Sequence, residues 1–151
     1  MKKSKRESAE VESVATESSK PAASSIVRVS TTIPIFGPKL VVYFTDDSET
    51  VLKSIGIEDE DFIATSVAST TQHITPKQCN PCRLTMVFTY DTIGHGVIAH
   101  EIRHVVDKTM DGCGILYHKD ENNEDWAHLT QYITGWVYRQ IEIKGIKIER
   151  C

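Results

Sequence analysis

The sequence predicts an α+β fold, a mixed sheet of three to five strands followed by two long helices packed on it. Three observations predict it. Leu84, Met86 and Phe88 alternate with Thr85, Val87 and Thr89, the period-two pattern of a strand with one face better buried than the other. Ile98, Ile102 and Val105 then recur at i, i+4 and i+7, with Ala99, Val106 and Met110 extending the apolar stripe of a helix. Trp126, Leu129 and Ile133, continued by Trp136 or Val137 and by Tyr138 or Ile141, repeat that period further on.

Taken in order, residues 1–25 are rich in Lys, Glu, Ser and Ala and hold no aromatic residue. Such a stretch buries too little apolar surface to offset its ordering entropy, so a disordered tail is expected ahead of a single domain over 26–151. Ile26–Val29 and Leu40–Phe44 are β-branched and aromatic runs that read as strands, separated by a proline-rich Ile33–Pro38 segment. Asp47 to Ile55 predicts a short helix with Val51, Leu52 and Ile55 inward. Phe62–Ser69 and Arg83–Tyr90 predict further strands. The first long helix is expected to stop near Met110, because Asp111-Gly112-Cys113-Gly114 breaks it. The second is expected to start at Asp120–Asn122, where acidic and amide side chains suit a helix N-terminus.

Charge excludes one large class of partner. The 151 residues carry a formal net charge of −4, and no basic face interrupts the acidic balance, so nucleic acid is not an expected partner. The basic start is not followed by the apolar stretch of a secretory signal, and no run approaches the length of a membrane span. A cytoplasmic protein without a membrane partner is expected, or one packed into a virion.

The stretch with most chemical content is His100-Glu101-Ile102-Arg103-His104 inside the first long helix. At about 100° per residue, the two histidines share a face one turn apart, and Glu101 is rotated roughly a quarter-turn from them. Two neutral imidazoles can grip one Zn²⁺, which lowers the pKa of a bound water toward about 7. A carboxylate beside that water can accept its proton. From the residue frequencies, about 0.02 such patterns are expected by chance in a chain of this composition.

A catalytic zinc usually takes a third protein ligand. Asp107, Asp111, His118, Glu121, Glu124, Asp125 and His128 follow the motif closely enough to be candidates. Asp107, three residues after His104, is better placed to orient a ligand than to be one. His100-Glu101-Ile102-Arg103-His104 followed by Asn123-Glu124 resembles the gluzincin metallopeptidases of the thermolysin type. Residues Glu121 to Leu129 also look like the second helix of small zincin-like proteins of bacteriophage genomes. The resemblance covers about Val97 to Ile141. It implies a small zincin-like domain with His100, His104 and Glu124 as zinc ligands and Glu101 as general base, Glu121 being the alternative third ligand.

The thermolysin-type pattern places an aspartate four residues after the ligand glutamate, where this chain has His128. Asp107 is then the candidate to support a ligand histidine. Metzincins fit less well, since Asp107 and Met110 stand where that group has glycine and a third histidine. The resemblance also implies an oxyanion donor outside the ligand set, for which Tyr117, His118 and Tyr132 are near in sequence, although as ordinary loop or part-buried side chains they need no such role. His95 reads as a turn residue. Cys79-Asn80-Pro81-Cys82 opens a strand rather than a helix, which argues against a thioredoxin-like redox pair.

The expectation is therefore a zinc-dependent peptide-bond hydrolase acting on a peptide or protein, with an extended substrate added to a sheet edge at Arg83–Tyr90. Activity is expected to fall in acid, as ligand histidines protonate. The alternative is a non-enzymatic module in which the same metal stabilises a fold or an assembly contact, for example within a virion.

Overall fold

A computed structural model describes residues 25–59, 68–73, 83–118 and 123–148. Among them are four strands, β1 (Ile26–Thr32), β2 (Lys39–Thr45), β3 (Ala68–His73) and β4 (Arg83–Thr89). The helices are α1 (Ser48–Ser54), α2 (His95–Gly112) and α3 (Asn123–Lys144). The strands form one mixed sheet in the order β1-β2-β4-β3. β1 runs antiparallel to β2 with Val29 opposite Val42, and β4 lies parallel to β2 with Phe44 opposite Phe88. β3 closes the other side, antiparallel to β4, with Thr71 opposite Thr85. The α+β class and the mixed sheet carrying two long helices are as the sequence pattern predicts.

Two features of the sheet differ from expectation. β4 is paired on both sides, so it is an interior strand and β3 forms the edge next to it. Its two faces are also both covered: Leu84, Met86 and Phe88 are fully buried, and so are Thr85 and Val87. The cause is α1, whose Val51 and Leu52 pack on Val87 with Tyr43, Ile55 and Ile57 around them. Seven residues of helix thus cover a face whose threonines look solvent-directed in the sequence. β3 was expected over Phe62–Ser69, and only its last two residues, Ala68 and Ser69, fall in the observed strand. Residues 62–67 lie outside the described residues. Ala-Ser-Thr-Thr-Gln-His has no apolar alternation to detect, a composition suited to an edge strand.

The main core lies on the opposite face of the sheet. Leu40, Val42, Phe44, Leu84, Met86 and Phe88 meet Ile98, Ile102, Val105, Val106 and Met110 of α2 and Trp126, Leu129, Ile133, Val137 and Ile141 of α3. The two helical stripes are those read from the period of 3.6, except that Ala99 is exposed. Where the pattern left a choice, Val137 and Ile141 take the fully buried places, and Trp136 and Tyr138 are half-buried. α2 stops at Gly112 and the chain leaves through Gly114 at φ +71°. α3 ends at Lys144, and the chain leaves it through Gly145, φ +62°, in the left-handed region that glycine reaches without steric strain.

α1 is fixed at its start by Asp47. That side chain accepts from the Thr50 backbone N–H at 2.9 Å and from the Thr50 hydroxyl at 2.6 Å. The Thr50 hydroxyl, and then its backbone N–H, hold the Asp47 carboxyl below its ordinary value. A carboxylate with a depressed folded-state pKa adds stability that is complete above the unfolded value and lost as pH falls through the folded one. Asp47→Ala is therefore expected to lower stability by about 1 kcal/mol at neutral pH. Asp47→Asn should keep most of the cap and lose the acid dependence. Urea unfolding at pH 7 and pH 3 checks both, and a wild-type-like midpoint for Asp47→Ala would remove the cap from the account.

The expected disordered tail lies outside the described residues, apart from Ser25, whose backbone N–H donates to Asp46 Oδ1 at 3.0 Å. Cys79, Cys82 and Cys151 lie outside them as well, and Cys113 is an exposed free thiol. Among the described residues, no helix is long and apolar enough to cross a membrane.

Candidate metal centre

α2 follows β4 through the turn Tyr90–Gly94, which is pinned by Ile93, fully buried, with its N–H donating to Thr89 O at 3.0 Å. Gly94 is the N-cap residue, and Ile98 N–H bonds back to its carbonyl at 3.0 Å. With Ile98, Ile102 and Val105 locked against the sheet, the rotation of the helix about its own axis is settled. His100 and His104 are then turned to solvent on the opposite arc.

The two histidines converge. Their Nε2 atoms are 3.1 Å apart, and the rings meet edge to face at a centroid distance of 4.7 Å. At this distance the two nitrogens share one hydrogen bond, with the donor set by the tautomer. Two nitrogens bound to a tetrahedral metal at about 2.0–2.1 Å stand about 3.3 Å apart. The pair is within a few tenths of an ångström of that separation, so two exposed imidazoles free to point into water hold the spacing of neighbouring ligands instead.

Glu101 differs from its neighbours. It is only 5 % exposed, at the margin of the buried arc of α2, and it is not without a partner. The quarter-turn that separates it from the histidines carries it toward the protein interior rather than to the solvent face.

Glu124 is in the first turn of α3, where a carboxylate suits the helix dipole. Its side chain is 80 % exposed, and its Oε2 lies 4.0 Å from His128 Nε2. Among the described residues, no group of three His, Cys, Asp or Glu side chains is close enough to hold a metal. The imidazole pair therefore fits a metal, and the Glu124 carboxylate as it stands does not complete the set. Glu121 lies outside the described residues.

Asp107 is paired with Arg103, whose Nε is 2.9 Å from Oδ1 and 3.0 Å from Oδ2. The Arg103 guanidinium also stacks over the Trp126 ring, 5.2 Å from its centroid, and the Tyr117 ring meets Trp126 edge-on at 5.4 Å. Asp107 thus braces the contact between α2 and the start of α3. Arg103 is the residue that the sequence reading passed over, although its spacing to Asp107 is the signature of an i, i+4 ion pair. His128 and Tyr132 line a separate, mainly apolar groove of about 640 Å³ between α3 and the Pro34–Phe36 turn. His118 is exposed in the loop after α2.

His95 is the first residue of α2 rather than a free turn residue. Its Nδ1 is 2.8 Å from the Tyr138 hydroxyl, and the two rings stack at 5.7 Å. Burial pushes the Tyr138 hydroxyl above its ordinary pKa, so it stays protonated and available as a donor. This bond ties the start of α2 to the second half of α3, as Arg103 and Trp126 tie the other end. Comparison of the chain with protein-family models, curated proteins and solved structures gives no match.

Proposed function

We propose that α2 carries the metal-binding face of a zinc-dependent peptide-bond hydrolase. The observation that carries this reading is the convergence of His100 Nε2 and His104 Nε2 at 3.1 Å on an otherwise solvated helix face, with Glu101 between them in sequence. His100 and His104 would hold the metal, with Glu124 as the third ligand that the gluzincin resemblance implies. Zinc bound there supplies a Lewis acid for the scissile carbonyl and acidifies water. Glu101 accepts a proton from the attacking water on a carboxylate oxygen and returns it to the leaving nitrogen.

An extended substrate is best received by β3. α2 packs against this strand, and the side of β3 away from β4 is paired by no other strand among the described residues. Backbone groups along such an edge can take up a peptide as a further strand.

A second reading draws on the burial of Glu101. A general base must meet its water, and a carboxylate 5 % exposed and already engaged suits a structural part equally well. In that case the metal joins elements of a small fold or of an assembly, with no turnover. Elemental analysis and a peptidase assay on the wild type and Glu101→Gln separate the two. Zinc near one per chain in both proteins, with peptide cleavage only in the wild type, supports the hydrolase. Zinc in both with cleavage in neither supports the structural module. A wild type that takes up no zinc when it is offered would sink both readings.

A further inference from the structure

We propose that the α1-covered face of the sheet holds a binding site for a phosphate group, built by Arg28, Tyr43 and Arg83. Arg28 and Tyr43 are directly opposite each other in the β1–β2 register. Arg28 Nε donates to the Tyr43 hydroxyl at 3.3 Å, with its guanidinium 5.9 Å from the centre of the ring. From β4, Arg83 Nη2 reaches the same hydroxyl at 3.5 Å. Lys39 stands opposite Arg83 in the β2–β4 register and shares its face of the sheet. Two guanidiniums thus converge on one hydroxyl, with a third cation on the same sheet face, in a chain whose net charge is −4.

Among the described residues, no carboxylate forms an ion pair with any of the three. Like charges held close on one sheet face repel, and a fold gains nothing by collecting them without a counter-charge. Arg83 Nε adds a second anomaly, since it is buried and makes no hydrogen bond. A buried donor left in that state is destabilising unless a ligand satisfies it. Thr85 Oγ1, two residues along the same face, is buried and unpartnered too.

The space beside these groups is a polar groove of about 380 Å³, lined by Tyr43, Arg83 and, from the end of α1, Ser54 and Ile55. It has room for a phosphate ester as well as the free ion. The planar forks of two guanidiniums suit a tetrahedral oxyanion, and the Tyr43 hydroxyl, which accepts from both arginines, has its own proton left to donate. The groove lies on the α1 side of the sheet, whereas α2 packs on the other face, so this site is separate from the histidine pair.

The test is heteronuclear NMR of the full chain with EDTA present, titrated with inorganic phosphate and with phosphoserine at pH 7.5. Sodium chloride at matched ionic strength is the control. Saturable shifts centred on Arg28, Tyr43, Ser54, Ile55 and Arg83 are expected. Arg83→Met should weaken binding by about tenfold or more, as loss of a charged hydrogen-bond partner implies. Arg28→Met, at an exposed position, and Tyr43→Phe should each weaken it several-fold, which keeps the test open if Arg83→Met does not fold. Tighter binding of phosphoserine assigns the site to a phosphorylated partner, and equal binding assigns it to the ion. Shifts no larger than those with chloride, shifts centred on α2, or unchanged affinity in Arg28→Met and Tyr43→Phe would overturn the proposal.

Discussion

Exchange of His104 for alanine is expected to lower zinc affinity by at least about 100-fold, the upper end of what loss of a mere supporting group costs a metal site. The geometry gives the reason. With Nε2 atoms 3.1 Å apart, His100 and His104 would act on the proposed zinc as one bidentate clamp, whereas either ring alone is a single exposed imidazole. His100→Ala and the double variant should therefore be nearly as weak as His104→Ala, the non-additivity expected of groups that act as a unit. Asp107→Ala is the informative contrast. Asp107 bonds Arg103, so its loss should change zinc affinity much less than a histidine loss does. A decrease as large as that of His104→Ala would instead make Asp107 the orienting partner of a ligand. Competition against a chromophoric chelator measures the wild type and the four variants. Wild-type affinity in His104→Ala would place any bound zinc elsewhere and end the reading of α2 as a metal centre. Affinity should also fall in acid, because imidazole binds zinc only when neutral.

What the sequence made legible follows from where its signals are periodic. Most of the buried sides of α2 and α3 could be read, since Ile98, Ile102, Val105 and Trp126, Leu129, Ile133 must all meet one core, whereas Ala99 proved exposed and the far end of the α3 stripe was left as a choice. The histidine pair followed at once, because an i, i+4 spacing on a known helix places two side chains together. Glu101 was placed in angle but not in depth. Whether a residue at the margin of a stripe is wet depends on what packs beside the helix, and no local pattern carries that. β3 had no pattern at all, and without it β4 looked like an edge. The same gap hid the role of α1, whose Val51 and Leu52 reveal an inward face without saying which surface they cover. The third ligand was implied by resemblance rather than by spacing, and Glu124 stands by His128.

The strand that delivers α2 also sets the largest expected stability change. Phe88 is fully buried on β4 and stacks on Phe44 of β2, ring centroids 5.7 Å apart and planes 20° from parallel. Phe88→Ala removes most of a side chain from the centre of the main core and is expected to cost about 3–5 kcal/mol. Against a typical stability of about 5–15 kcal/mol, that brings the protein close to unfolding. Phe88→Leu, which keeps most of the volume, should cost less than about 1.5 kcal/mol. Urea unfolding measures both, and a loss below 1 kcal/mol in Phe88→Ala would contradict a closely packed β2–β4 core. The same variant ties the core to the proposed centre. If zinc binds only the folded chain, free zinc at about 100 times its dissociation constant should restore about 2.7 kcal/mol to Phe88→Ala. The restoration should fall to about 0.4 kcal/mol or less when His104→Ala is added, because affinity is then at least about 100-fold weaker whatever the state of the core. Zinc stabilisation that stays near about 2.7 kcal/mol in the double variant would show that the metal acts through other residues, so this cycle tests the packing and the site with one measurement.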